Sequence, residues 1–373
     1  MQDVLPTKKI LFITEDYIKG GVAIVSQNLS KVINRREHYC FDTLLLNAYS
    51  DYAEVNRLLP ALNPDKASNK ITKLWRLVSD TYKLAKILPN YDIILINGDL
   101  FQVVIPVWIV SKFFKKIQVF AWIHVCLNKV KYYPNFLIKI LHIYGLLSFR
   151  NIITVSNAAR DGLLAYMNRP SLPNISVINN FFECIDVEHI PLSNVFPQDA
   201  VKLIVIGRLV PEKNIAMILQ AMHLLSRYNL FLVICGDGPE KQNLSNIVSQ
   251  LALENRVQFV GQVNNPLSYL KASDILISSS NTEALPTVVI EAFMCKKLVI
   301  ATKTGAAEIL NYGEYGTVID INDVSALANA IYQLSSKPVL GQKYIKMYSK
   351  ALQNYTESVV LDKWISLFTN ANQ

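Results

Sequence analysis

The sequence has little that would mark a secreted, membrane-spanning or nucleic-acid-binding chain. Its five cysteines (Cys40, Cys126, Cys184, Cys235 and Cys295) are scattered, odd in number and form no C-x-x-C pair. That excludes a disulfide framework and points to buried thiols in a reducing compartment. The longest apolar runs, such as residues 103–110 and 119–125, fall far short of the ~20 residues that span a bilayer. The residues before Lys8 lack the apolar core of a signal peptide, so a cytoplasmic chain is expected. No basic run exceeds a pair and no recognised nucleic-acid motif is present, which sets nucleic acid aside as a partner. No G-x-G-x-x-G follows the first strand-like run, which removes the usual dinucleotide fingerprint and with it an oxidoreductase reading. Solenoid repeats and low-complexity tracts are also absent.

What is present is apolar residues in abundance. At 373 residues, 51% of them hydrophobic, the chain has ample material for buried cores and fits two domains of about 150 residues each. Charge is placed unevenly. Residues 1–180 hold 22 Lys and Arg against 12 Asp and Glu, whereas residues 181–373 hold 15 against 17. The net charge of +8 therefore belongs to the first half, which calls for an acidic partner. Basic residues there alternate with large apolar ones, as in Trp108-Ile109-Val110-Ser111-Lys112-Phe113-Phe114-Lys115-Lys116 and in residues 136–144. That composition suits an anionic membrane surface, and equally suits core helices with solvated lysines.

Two alternating series of strand-like and helix-like runs follow one another. The first has strands at residues 9–14, 41–46, 91–97, 118–124, 151–155 and 175–178. The second has strands at 202–206, 230–235, 257–260, 274–278, 298–301 and 316–319. Alternation of this kind predicts parallel sheets with helices on both faces. Residues 183–199, with Pro191 and Pro197 and little periodicity, separate the two series. The expected organisation is an N-terminal domain (1–182), a hinge (183–199), a C-terminal domain (200–355) and a closing apolar-faced helix (356–373) packing back on the first domain.

Two doubly wound domains place ligands beyond the carboxyl ends of their strands, so residues just after strands are the candidates. Gly20-Gly21 follows the first strand and would let a ligand approach the backbone at a helix start. Arg208 and Lys213, five apart beside Gly207, suit a diphosphate. Gly236-Asp237-Gly238-Pro239 is a tight turn after the next strand. Glu283 and Glu291 bracket the turn Ala284-Leu285-Pro286-Thr287. If a helix opens near Pro286–Thr287, with Thr287 able to cap it, its unpaired N–H groups form a phosphate-friendly tip. Glu291 then lies one turn in, where it could accept sugar hydroxyls, although the helix dipole alone also favours an early Glu. His124 ends the apolar run 119–123.

The combination Gly-Arg-Leu-x-x-x-Lys, Gly-Asp-Gly-Pro and Glu-Ala-Leu-Pro-Thr-x3-Glu-Ala resembles family 4 of the retaining glycosyltransferases, and the resemblance covers essentially the whole chain. It implies the GT-B fold: two Rossmann-like domains facing each other across a cleft, the N-terminal one for the acceptor and the C-terminal one for the nucleotide-sugar donor. It also implies roles. Arg208 and Lys213 would neutralise the donor diphosphate, helped by the Gly20–Gly21 backbone and the tip formed by Leu285 and Thr287. Glu291 would bind the ribose and Glu283 the transferred sugar, with His124 on a sugar hydroxyl or the reacting region from the N-terminal side. The nucleotide base would lie near the Gly261-Gln262-Val263 turn, with Gly236 also among the donor-binding residues. Two departures stand out: Ala284 where the family often has Gly, and Asn179-Asn180-Phe181 where a Pro-Asn-Gly type turn is common.

The expected reaction is transfer from a nucleotide diphosphate sugar, UDP being favoured by family frequency, to a lipid-linked or polysaccharide acceptor in O-antigen or capsule assembly at the inner face of the membrane. The only near match to a D-x-D metal motif, Asp186-Val187-Glu188, falls in the hinge. The two cations would replace a divalent metal, so no cofactor is expected. A GT-B epimerase or a non-catalytic nucleotide-sugar-binding subunit would keep the same scaffold.

Overall fold

The computed structural model describes residues 7–14, 21–36, 38–46, 58–59, 62, 70–114, 116–130, 136–182 and 187–370. The chain divides into two compact units, Met1–Glu183 with Glu357–Gln373, and Cys184–Thr356.

In the first unit the order is β1 (Lys8–Thr14), α1 (Gly21–Asn34), β2 (Tyr39–Leu45), β3 (Leu58–Leu59), α2 (Lys70–Ile87), β4 (Ile93–Asn97), α3 (Phe101–Ser111), β5 (Gln118–Ile123), α4 (Phe136–Ser148), β6 (Asn151–Thr154), α5 (Asn157–Met167) and β7 (Ile175–Val177). The strands form one parallel sheet in the order β3-β2-β1-β4-β5-β6-β7. Central strands are fully buried: every residue of β4 (IILIN) is inside, the continuous apolar run that a sheet covered on both faces demands. The run expected from Tyr91 starts two residues later. Asp92 instead uses its carboxylate to accept the Lys9 N–H at 2.8 Å, and Tyr91 N–H closes a turn on the Leu88 carbonyl at 3.1 Å. The two-residue β3 was not expected from the sequence; it is an edge pairing of Leu58 and Leu59 with Thr43 and Leu44.

The second unit runs β8 (Val201–Ile206), α6 (Ile215–Leu224), β9 (Leu230–Cys235), α7 (Lys241–Gln250), β10 (Val257–Gly261), α8 (Pro266–Ala272), β11 (Ile275–Ser278), α9 (Thr287–Met294), β12 (Leu298–Thr302), α10 (Gly305–Ile309), β13 (Thr317–Ile319), α11 (Val324–Ser336) and α12 (Pro338–Gln353). Its parallel sheet has the order β10-β9-β8-β11-β12-β13. Both sheets are thus doubly wound, reversing direction between β1 and β4 and between β8 and β11. Such reversals open a crevice at the carboxyl ends of the two strands concerned. Residues 187–199 contain no helix or strand, and the Lys271 ammonium holds them to α8 by donating to the carbonyls of Glu188 and Ile190 at 2.8 and 2.9 Å.

The last helix, α13 (Glu357–Asn370), belongs to the first unit. Trp364 and Phe368 are buried, with Trp364 edge-on to Trp122 at 5.0 Å and Phe368 edge-on to Phe120 at 5.7 Å. Lys8 donates its ammonium to the Phe368 carbonyl at 3.0 Å. Two buried aromatics of this size contribute roughly 1.5–3 kcal/mol each from apolar burial, enough to hold one helix. Of the described cysteines, Cys235 and Cys295 are buried, whereas Cys40 and Cys126 are half-buried. Among the described residues no helix is long and apolar enough to cross a membrane.

Candidate active site

In the second unit the crevice between β8 and β11 gathers the residues that the motifs single out. Ile206 ends β8 and Gly207 turns the chain with φ at +154°, a value L side chains rarely adopt. The following turn, Pro211–Lys213, ends at Asn214 in the left-handed region, φ 47°. The Lys213 stem thereby runs back over Gly207, its Cε in van der Waals range of the face where Gly207 lacks a Cβ. The loop after β11 meets it. Ser279 donates its hydroxyl to the Lys213 carbonyl at 2.8 Å, and the Asn281 N–H donates to the Glu212 carbonyl at 2.8 Å. Asn214 reaches the Asn281 side chain at 3.2 Å.

These bonds place the Lys213 ammonium on the Glu283 carboxylate, and Ser280 donates its hydroxyl to the same Glu283 Oε1 at 2.8 Å. Arg208 is exposed, and no carboxylate among the described residues pairs with it. A small pocket lies between the two loops, lined by Gly207, Arg208, Lys213, Ser279, Ser280 and Val288. Both cations therefore border one space. A chain anion placed there would meet one committed and one uncommitted positive charge.

α9 opens behind that pocket, with a change from expectation. Pro286 is the residue before the first turn, and no side chain caps the helix. Thr287 is already helical, and its hydroxyl hydrogen-bonds Glu291 one turn on. Burial pushes the half-buried Glu291 carboxyl upward, and the Thr287 bond opposes that rise. Leu285 is buried and Val263 half-buried in the loop after β10. Ala284, where the family often has Gly, is buried against Gly305: a Cβ on Gly305 would sit 1.9 Å from the Ala284 carbonyl oxygen. The Gly305 N–H in turn donates to the Glu283 carbonyl at 2.9 Å. Gly236 is required by its neighbour, since a Cβ there would lie 1.8 Å from the Gly207 oxygen. The two post-strand turns can run side by side only with glycine at 236.

The remaining candidates lie in the first unit. Gly20 falls outside the described residues, and Gly21 is the first residue of α1. His124 follows β5; its imidazole lies 4.2 Å from the Trp122 ring, and Nε2 is buried without a hydrogen-bond partner. Burial pushes its pKa down to about 3, so the ring is neutral. Its backbone N–H donates to both carboxylate oxygens of Asp99, at 3.0 and 3.1 Å. Burial drives the Asp99 carboxyl up to about 7, against the pull of the His124 and Val125 N–H groups. Sequence reasoning passed over Asp99. Its only signal was its place just after a buried strand.

The glycine-built post-strand turns, with two cations and a carboxylate in one crevice, sit on doubly wound parallel sheets of the GT-B fold. Residues 186–353 match the family model described as glycosyl transferases group 1. The lipopolysaccharide core biosynthesis glycosyltransferase LpsD of Rhizobium meliloti is 28% identical over 198 residues, 52% of this chain and 57% of that protein. The amylovoran biosynthesis glycosyltransferase AmsD of Erwinia amylovora is 23% identical over 92% of this chain and 95% of its own length. Among solved structures, HepE of Anabaena in complex with UDP superposes with a TM-score of 0.76 at 18% identity, covering 97% of this chain and all of that one. The resemblance drawn from the motifs stands, and with it the fold.

Proposed function

We propose that the protein is a retaining, metal-independent glycosyltransferase that moves a sugar from a nucleotide diphosphate donor, UDP-linked by preference, to a lipid-linked or polysaccharide acceptor in bacterial surface glycan assembly. The observation that carries this reading is the convergence of Arg208 and Lys213 on one pocket beside the start of α9. Cleaving a glycosyl–phosphate bond leaves growing negative charge on a diphosphate. Preorganised cations and helix N–H groups stabilise that charge without reorganising at the moment of reaction. Glu291 takes the ribose hydroxyls, Glu283 the transferred sugar, and the leaving phosphate accepts the acceptor's proton on the same face. The UDP bound by HepE and the surface-glycan names of LpsD and AmsD support the donor and acceptor classes.

The acceptor class agrees with the surface of the first unit. Phe113, Phe136, Leu137 and Tyr144 are exposed on and beside α3 and α4, which pack together. Lys112 and Lys116 are exposed beside them. Large apolar groups among lysines fit the headgroup region of an anionic membrane, the proposed station being its inner face. Lys139 is not part of that set, because its ammonium lies over the Tyr166 ring at 5.0 Å. Calorimetric titration with UDP, GDP and CMP, EDTA present throughout, tests the reading. Micromolar binding of one nucleotide is expected. Binding of none, or binding only when a divalent ion is restored, would refute it.

A further inference from the structure

Asp99 is the only carboxylate between Asp92 and Asp161, and it is buried. A buried carboxylate is costly unless its partners are good, and the turn that carries it is held from several sides. Gly98 N–H donates to the Trp122 carbonyl at 2.8 Å. A Cβ on Gly98 would lie 2.5 Å from Ile123 Cδ1 and 3.2 Å from Ala121 Cβ, so the turn packs directly on the side chains of β5. The Asp99 N–H donates to the Asn97 side-chain oxygen at 3.1 Å. Behind the turn His142 Nε2 lies 3.0 Å from the Gly98 carbonyl, while its Nδ1 is 3.0 Å from the Tyr166 hydroxyl. All of this sits at the carboxyl ends of β4 and β5, one strand from the β1–β4 reversal.

The carboxylate so held grips backbone, not another side chain: both its oxygens face the His124 N–H. Gripping the first residue after β5 fixes where the imidazole projects, and the imidazole is the part left incomplete, with Nε2 buried and unpartnered. We infer that Asp99 is a positioning residue, which clamps the His124 backbone so that Nε2 is presented to a hydroxyl group of a sugar substrate. The ligand's identity rests on the glycosyltransferase reading above; the clamp does not. The groups facing His124 are Asp99 on its backbone and Trp122 on its ring, with His142 and Tyr166 behind the Gly98–Asp99 turn. A neutral imidazole suits the task, since it can exchange a hydrogen bond with a hydroxyl without carrying charge.

The test uses the full chain labelled with 15N-histidine, His124 being assigned by loss of its signal in His124→Gln. In the wild type the His124 signal is expected not to titrate between pH 5 and 8. Asp99→Asn keeps an acceptor oxygen and should preserve that behaviour. Asp99→Ala, and Asp99→Glu with its longer reach, should shift the signal and let it titrate near the ordinary histidine value of about 6.5. In a transfer assay the Ala and Glu variants should lose about 10- to 100-fold in kcat, in the range of mispositioned contacts, with UDP affinity unchanged within about twofold and Asn close to wild type. Asp99→Glu matching the wild type in both readouts would overturn the clamp, as would Asp99→Asn as impaired as Asp99→Ala. A wild type with no transferase activity would instead count against the function, and the histidine signals would still decide the clamp.

Discussion

Lys213 and Glu283, 70 residues apart in sequence, form an ion pair whose carboxylate also takes the Ser280 hydroxyl. Each has a role in the proposed reaction that the other opposes: a diphosphate must draw the ammonium away from the carboxylate. Glu283→Gln keeps an acceptor for Ser280 and removes the charge that holds Lys213. The side chains are 28% and 16% exposed, so screening limits the gain. UDP affinity is expected to rise roughly three- to tenfold, where tenfold is about 1.4 kcal/mol, while sugar transfer falls. Calorimetry beside a turnover assay measures both, and unchanged or weaker UDP binding would mean the pair does not compete with the diphosphate.

Removing either cation should act on the reaction itself. Arg208→Ala or Lys213→Ala is expected to lower turnover by a factor of order 10² or more, if each supplies a few kcal/mol of leaving-group stabilisation. Near-normal rates in both variants would remove the diphosphate assignment.

The exposed lysines near α3 bear on membrane contact. Neutralising Lys112 and Lys116, together with the neighbouring Lys115, should weaken binding to phosphatidylserine-containing vesicles at low salt. The loss should shrink as salt is raised, because the Debye length falls to about 10 Å at 0.1 M. Vesicle co-sedimentation that is indifferent to the three changes would return the segment to an ordinary solvated surface.

The buried groups of the first unit give stability a particular pH dependence. Between about pH 4 and 6.5, folded Asp99 holds a proton that the unfolded chain has released, its ordinary value being about 3.9; rising pH in that window therefore weakens folding. His124 and His142, lowered by burial to about 3 and about 4, do the reverse. Unfolded they carry a proton that the folded state lacks, so rising pH strengthens folding. Two such terms against one leave a net uptake of about one proton on unfolding. Asp99→Asn deletes the opposing term and should raise the uptake to about two. Urea unfolding at pH 4.5, 5.5 and 6.5 would show the steeper slope, and parallel slopes in the two proteins would contradict it.

The strands of both sheets were legible because each is a short apolar run bounded by turn residues, and the cores follow from that alone. The two-residue β3 was not, since a pair of leucines carries no period. At the site, Arg208, Lys213, Glu283 and Glu291 were legible by type and by position after strands. Their pairing was not: that Lys213 meets Glu283 follows from β8 and β11 being neighbours in the sheet, which no local pattern encodes. Gly236 looked like a turn residue, yet its reason is the Gly207 carbonyl against it. Thr287 looked like a cap and instead bonds Glu291, because the helix begins one residue earlier than a capping role allows. Asp99 was passed over in the sequence, since its depth comes from β5 packing beside β4.

Because α13 completes the first unit, that unit is unfinished for most of the protein's synthesis. Trp122 and Phe120 lack their partners on α13 until residues 184–356 have been made and Trp364 and Phe368 leave the ribosome. At about 5–20 residues per second, the interval is roughly 10–35 seconds. A nascent or prematurely terminated chain would carry an uncovered aromatic face throughout that time, a natural target for chaperones. The first unit, though it comes first in the gene, is the last to be closed.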